Sequence, residues 1–130
     1  MKQKNGLKNK RLKVVNSLHE LGVVISVVNS IEAFAKRNNI EVIDTLVLQI
    51  GELSAMIPHY IEAVYPAAVE GTLLENCKLK IEILPGNALC KGCRSVFNIR
   101  ANNSTCPKCS SHQWELLGGR EFLIKEIIVP

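Results

Sequence analysis

Aromatic residues make up only 5% of this 130-residue chain. That leaves little material for the stacking platforms that single-stranded nucleic acids need. There is no Gly-rich phosphate loop, and no Ser/His/Asp ordering with supporting context. Glu20, Glu52 and Glu62 can be paired on paper, but their spacing marks no acid/base dyad. Catalysis therefore has no candidate site, and the chain is not expected to be an enzyme. Long apolar runs are missing too. The stretch from Leu21 to Ala35 is broken by Ser26, Asn29, Ser30 and Glu32, and no small-residue cleavage site follows it. Neither a signal peptide nor a bilayer anchor is expected, which points to a cytoplasmic protein that makes no membrane contact.

Acidic residues are absent from the first 17 positions, where Lys2, Lys4, Lys8, Lys10, Arg11 and Lys13 stand. The formal charge of +4 is therefore misleading, because the remainder carries two more acids than bases. A body of about −2 lacks the basic face that phosphate binding requires, so no nucleic-acid partner is expected. Residues 1–17 read as a basic, disordered tail.

Hydrophobic residues make up 47% of the chain, enough for one compact domain with a small appendage. A helix to about Lys36 buries Leu21, Val24, Val28, Ile31 and Ala35, and Asn38-Asn39 ends it. A strand lies within Glu41 to Leu53, with Leu46, Leu48 and Ile50 on one face. A second helix runs from Pro58 to about Glu70 and stops at Gly71. In Lys78 to Ile83 the residues Leu79, Ile81 and Ile83 point inward, while Lys78, Lys80 and Glu82 point outward. Ser95–Arg100 and Gln113–Leu117 read as short strands, and Phe122–Val129 as a strand returning to the sheet. The expected fold is α+β, with two helices packed on a small three-stranded sheet and an inserted zinc-ribbon module. Residues 18–85 plus 120–130 form the body, and 86–119 the module.

Five cysteines are present, four of them as Cys90-Lys-Gly-Cys93 and Cys106-Pro-Lys-Cys109. Twelve residues separate the two pairs. Each turn aims two thiolates at one point, and two such turns complete a tetrahedron. Soft sulfur in that array suits Zn²⁺ best, with iron in a rubredoxin-like role as the runner-up. Four protein ligands leave no open position, so the site is structural. Val96, Phe97, Ile99 and Trp114 are too few to hold the module without metal, which contributes on the order of 10 kcal/mol of folding energy. Cys77 stands apart and reads as an apolar filler. His19, beside Glu20, reads either as part of a solvated helix cap or as a metal ligand. His59 and His112 read as surface or locally packed side chains. A zinc ribbon that docks nucleic acid or protein is the alternative function open at this point.

From Leu18 onward the chain resembles the HypA/HybF family of hydrogenase-maturation nickel metallochaperones. Leu18-His19-Glu20-Leu21-Gly22 is similar to that family's Met-His-Glu-x-Gly opening. Val47-Leu-Gln-Ile-Gly-Glu-Leu-Ser54, Glu70-Gly-Thr-Leu-Leu74 and the paired cysteines resemble its later landmarks. The resemblance implies a carrier that binds Ni²⁺ and passes it, with a maturation GTPase of the HypB type, to the precursor of the [NiFe] hydrogenase large subunit. Urease maturation proteins are possible further partners. It also implies His19 and Glu20 as nickel residues, with His112 as a further nickel ligand. One departure stands out, because the family's histidine is the second residue and 17 residues precede Leu18 here. Either the tail is real, or translation starts at position 18, where a leucine codon decoded as Met would give a Met-His-Glu terminus.

Overall fold

In the computed structural model, side chains are described from Leu18 to Pro130, and the backbone from Lys2. The two readings of residues 1–17 lie outside the residues described in full. Two helices and six strands follow in order: α1 (Lys2–Arg37), β1 (Thr45–Gly51), α2 (Pro58–Val69), β2 (Lys78–Leu84), β3 (Asn87–Cys90), β4 (Val96–Asn98), β5 (Trp114–Leu116) and β6 (Phe122–Ile128). They form two three-stranded sheets, β2-β1-β6 and β4-β3-β5. The α+β class expected from the sequence is the class observed.

In the first sheet β1 is central, and only two of its seven residues are even partly exposed. Asp44 N donates to Ile128 O at 2.8 Å and Gly51 N to Glu121 O at 2.7 Å, so β6 runs antiparallel to β1. Lys78 N donates to Asp44 O at 2.9 Å and Glu52 N to Leu84 O at 2.8 Å, so β2 runs parallel. A parallel neighbour needs a crossover, and α2 supplies it. Because β1 is covered on both faces, Val47 is as buried as Leu46 and Leu48, where alternation alone leaves it out. The edge strand β2 departs from its expected pattern. Ile83, expected inside, is 51% exposed at the strand's end. Glu82, expected outside, is half-buried because Gln49 Nε2 donates to it at 3.2 Å and Lys125 Nζ at 2.9 Å.

The chain divides into two units. The first comprises Met1–Val47, Met56–Lys80 and Glu126–Pro130, and the second Leu48–Ala55 with Ile81–Lys125. In the first unit α1 packs on α2. Val24, Val28, Ile31 and Ala35 are buried from α1, with Ile61, Tyr65 and Val69 from α2. The stretch Leu18–Arg37 is long and apolar enough to span a membrane by length and composition alone, and 33% of its apolar window is buried inside the structure. Asn39 ends α1 in the left-handed region at φ 56°, and Ile40 N donates back to Ala35 O at 2.9 Å. Asparagine tolerates that conformation better than most residues, which is why the helix stops there. Pro58 opens α2, and Gly71, at φ 74°, follows its end.

The buried stripe of α1 differs from the expected one at its beginning. Glu20, not Leu21, continues the line from Val24, and it is 3% exposed. Val24 stands four positions after Glu20, the spacing that puts side chains on one helix face. Of the two readings of His19-Glu20, the solvated cap does not hold for Glu20, which is buried.

The second unit holds the cysteine module and is larger than residues 86–119, because the turn after β1 packs with it. Its core is Ala88, Cys90, Phe97, Ile99 and Cys106, against which Leu53, Trp114 and Leu116 pack. Strand β3, which the sequence reading missed, is the centre of its sheet and pairs antiparallel with both β4 and β5.

Candidate metal centre

Two turns of matching construction carry the four cysteines. In the first, Arg94 N donates to Cys90 O at 2.9 Å and Cys90 N to Ser95 O at 2.8 Å. In the second, Ser110 N donates to Cys106 O at 2.9 Å and Cys106 N to Ser111 O at 2.9 Å. The residue after each second cysteine is left-handed, Arg94 at φ 67° and Ser110 at φ 63°. The sequence therefore contains a repeat that pairing the cysteines alone does not reveal: Cys-x-x-Cys-x-Ser, at 90-93-95 and again at 106-109-111. Local geometry favours the turn because a left-handed residue folds the chain back over the sulfurs.

All four Sγ atoms lie within 4.8 Å of one another. Cys90 Sγ is 3.5 Å from Cys109 Sγ, and Cys93 Sγ is 3.6 Å from Cys106 Sγ. A tetrahedral site with metal–sulfur bonds of about 2.3 Å has sulfur–sulfur edges of about 3.8 Å, so the cluster fits such an ion closely. Cys90 and Cys106 are buried, whereas Cys93 and Cys109 are exposed.

The electrostatics point the same way. The Cys93 backbone N–H lowers the Cys90 thiol below its usual range. Contact with the Ser95 hydroxyl, 3.1 Å away, and with its backbone N–H brings Cys93 down to about 6. At Cys109 the Ser111 N–H also favours the thiolate. Hydrogen bonding to Cys90, burial and the other two sulfurs oppose it and push the thiol up to about 12. Like charges that resist ionising together need a cation among them, and a divalent ion supplies one. The cluster is therefore built to hold metal rather than to titrate.

The other candidate residues are dispersed. His19 is exposed on α1, while Glu20, its neighbour, is buried with Oε2 accepting no hydrogen bond among the described residues. His112 is exposed in the cysteine module, its Nδ1 3.2 Å from Thr105 Oγ1. His19 and His112 fall in different units. His59 is exposed beside Tyr60, with ring centroids 6.0 Å apart. Cys77 is 5% exposed and outside the cluster, and burial pushes its thiol up. Glu52 is engaged by Gly86 N at 2.8 Å and Asn98 Nδ2 at 3.0 Å, so it is not a free acid/base group.

A closed four-sulfur cluster in an α+β chain defines a metal-binding protein. Residues 18–129 match the family model described as hydrogenase/urease nickel incorporation, metallochaperone, hypA. The chain belongs to this HypA family. The hydrogenase maturation factor HypA of Geobacter sulfurreducens is 34% identical over 86% of this chain and 99% of its own length. That of Azotobacter vinelandii is 32% identical over the same shares. The solution structure of the Ni metallochaperone HypA from Helicobacter pylori superposes with a TM-score of 0.57. It is 29% identical and covers 84% of this chain and 95% of its own. A second HypA solution structure superposes at 0.62, again at 29% identity, over 87% of this chain and 97% of its own.

Proposed function

We propose that this chain binds Ni²⁺ as cargo and delivers it, with a GTPase partner, to the precursor of the [NiFe] hydrogenase large subunit. Urease maturation proteins are a second class of recipient. The cysteine quartet holds Zn²⁺, the d¹⁰ ion best suited to a closed tetrahedron of thiolates, and that site is structural. Residues 18–85 with 120–130 act as the nickel domain and 86–119 as the zinc domain. The protein works in the cytoplasm and carries metal rather than converting a substrate.

The observation that carries this reading is the pair His19-Glu20 at the start of the family match. His19 offers an exposed imidazole, a suitable nitrogen donor for Ni²⁺. Glu20 beside it is a buried carboxylate with an unpartnered oxygen. Burying such an oxygen without a partner costs about 1–3 kcal/mol, and a cation bound next to it offsets that cost. Neighbouring residues of a helix point to different sides, so imidazole and carboxylate do not chelate together. Glu20 acts as countercharge, and backbone amides complete the nitrogen set. His112, in the second unit, offers Nε2 as a separate nitrogen donor for nickel, because Nδ1 is engaged with Thr105.

Competitive titration of the zinc-loaded chain with Ni²⁺ tests this. His19→Ala should abolish nickel binding and leave zinc content and fold intact. Equal loss of both metals would overturn the separation of sites. Comparing the full chain with one beginning at position 18 shows whether residues 1–17 weaken the site.

A further inference from the structure

Glu52 lies far from the sulfurs in sequence, yet one of its oxygens fastens both arms of the cysteine module. Oε2 accepts from Gly86 N at 2.8 Å and from Asn98 Nδ2 at 3.0 Å. Gly86 immediately precedes β3, the strand that ends at Cys90. Asn98 ends β4 and organises the turn that leads to Cys106. Its Oδ1 accepts from Ala101 N at 2.9 Å, its carbonyl accepts from Asn102 Nδ2 at 2.9 Å, and Thr105 N then donates to Asn102 O at 3.0 Å. Asn98 Nδ2 also reaches Asn87 Oδ1 at 3.3 Å. The carboxylate thus sets the spacing of two segments, one delivering the first pair of sulfurs and the other the second. It does so from the far end of β3, about 13 Å from Cys90 at the usual strand rise.

Two further contacts tie the same turn to the module. Leu53 packs on the core that contains Cys90 and Cys106. Leu53 N donates to Gly119 O at 2.7 Å, where the chain leaves the module. Gly86 and Gly119 allow the approach, since a Cβ on Gly86 would meet Leu53 Cγ at 2.6 Å and one on Gly119 would meet Gly86 Cα at 2.5 Å. Hydrogen bonding from Gly86 and Asn98 holds the Glu52 carboxyl below its ordinary value, which favours the ionised acceptor.

We propose that Glu52 is a positioning residue for the four-cysteine metal centre, pinning Gly86 and Asn98 so that the two cysteine turns meet at tetrahedral distance. It touches no metal. Its effect is to keep the thiolates gathered, so that metal release requires the pin to open. The proposal rests on the zinc reading of the quartet. A zinc content of one per wild-type chain tests that reading separately.

The experiment measures the rate of zinc transfer from the full zinc-loaded chain to a chromogenic chelator, alongside visible spectra of the Co²⁺-substituted protein. Glu52→Ala should release zinc about 10–100-fold faster, the range seen when groups behind metal ligands are removed. The Co²⁺ ligand-field bands should shift or broaden. Glu52→Gln, which keeps one acceptor oxygen, should fall between wild type and Glu52→Ala. The double variant Glu52→Ala/Asn98→Ala should release zinc no faster than the worse single variant, because both break one pin. Glu115→Gln, an exposed carboxylate of the same module, is the control and should match wild type. Release within twofold of wild type in Glu52→Ala overturns the proposal. So do unchanged Co²⁺ bands with additive single effects, which would mark a role in general stability alone.

Discussion

Replacing Gly51 by alanine isolates the close approach on which the second unit depends. A Cβ there would lie 2.8 Å from Arg120 N and closer still to the carbonyl carbon and oxygen of Gly119. Every one of these is a backbone atom, so no rotamer change relieves the overlap. One of the two segments must move by about 1 Å, and overpacking of this kind costs about 1–3 kcal/mol. The shift also strains two short hydrogen bonds, Gly51 N to Glu121 O and Leu53 N to Gly119 O, both 2.7 Å. Each is worth about 1 kcal/mol net. A total of about 3–5 kcal/mol is large beside the 5–15 kcal/mol of a typical domain. Urea unfolding at fixed zinc concentration measures it, with an unchanged slope confirming that the same transition is compared. Gly22→Ala is the matched control. A Cβ at Gly22 meets nothing within 4 Å, and alanine in a helix gains about 0.5–1 kcal/mol over glycine. A Gly51→Ala midpoint equivalent to less than 1 kcal/mol of destabilisation would refute the reasoning.

Two other perturbations follow from backbone and burial. Arg94→Gly or Ser110→Gly should each stabilise the module by about 1 kcal/mol, because both residues hold left-handed angles that glycine adopts without penalty. Lys108→Gly, at a position without that constraint, should weaken it, and equal zinc affinity in all three variants would contradict the account. Burial, with the hydrogen bond to Cys77 next, pushes the Tyr65 hydroxyl well above its usual range, and burial does the same for the Cys77 thiol. A raised value means stability is complete below the unfolded-state pKa and is lost as pH rises past it. The zinc-loaded chain should therefore lose stability above about pH 8.5 and more steeply above about pH 10, approaching 1.4 kcal/mol per pH unit for each ionising group. Tyr65→Phe should remove the second drop while losing the 3.0 Å bond to Cys77 O, and a steep fall retained above pH 10 in that variant would disprove the assignment.

Features carried by residue type at fixed spacing were legible in the sequence. The quartet was, because metal ligation demands cysteine at those intervals whatever surrounds it. The ends of both helices were legible for a similar reason, since Asn39 and Gly71 occupy backbone conformations that few residues tolerate. The return of Phe122–Ile128 to the sheet was legible as a strand, but its place beside β1 was not, since most of β6 is exposed and shows no buried face. Strand β3 was missed because Asn87-Ala-Leu-Cys is too short to show alternation, and its identity depends on the two partners that flank it.

Glu20 and Glu52 mark the limit of that kind of reading, and they do so in opposite ways. Both are carboxylates that polarity alone assigns to solvent. Glu52 has its neighbours supplied by the fold: two donors, a turn and a glycine that lets the chain come close. No periodicity in the sequence announces them, because Gly86 and Asn98 lie 34 and 46 residues away. Glu20 is carried inward by the helix itself, one turn before Val24, yet Oε2 finds no hydrogen-bond partner among the described residues. A satisfied carboxylate and an orphaned one call for different explanations. The first completes the architecture of the cysteine module. The second buries a carboxyl oxygen that finds no hydrogen-bond partner among the described residues, and it carries the full cost of that burial.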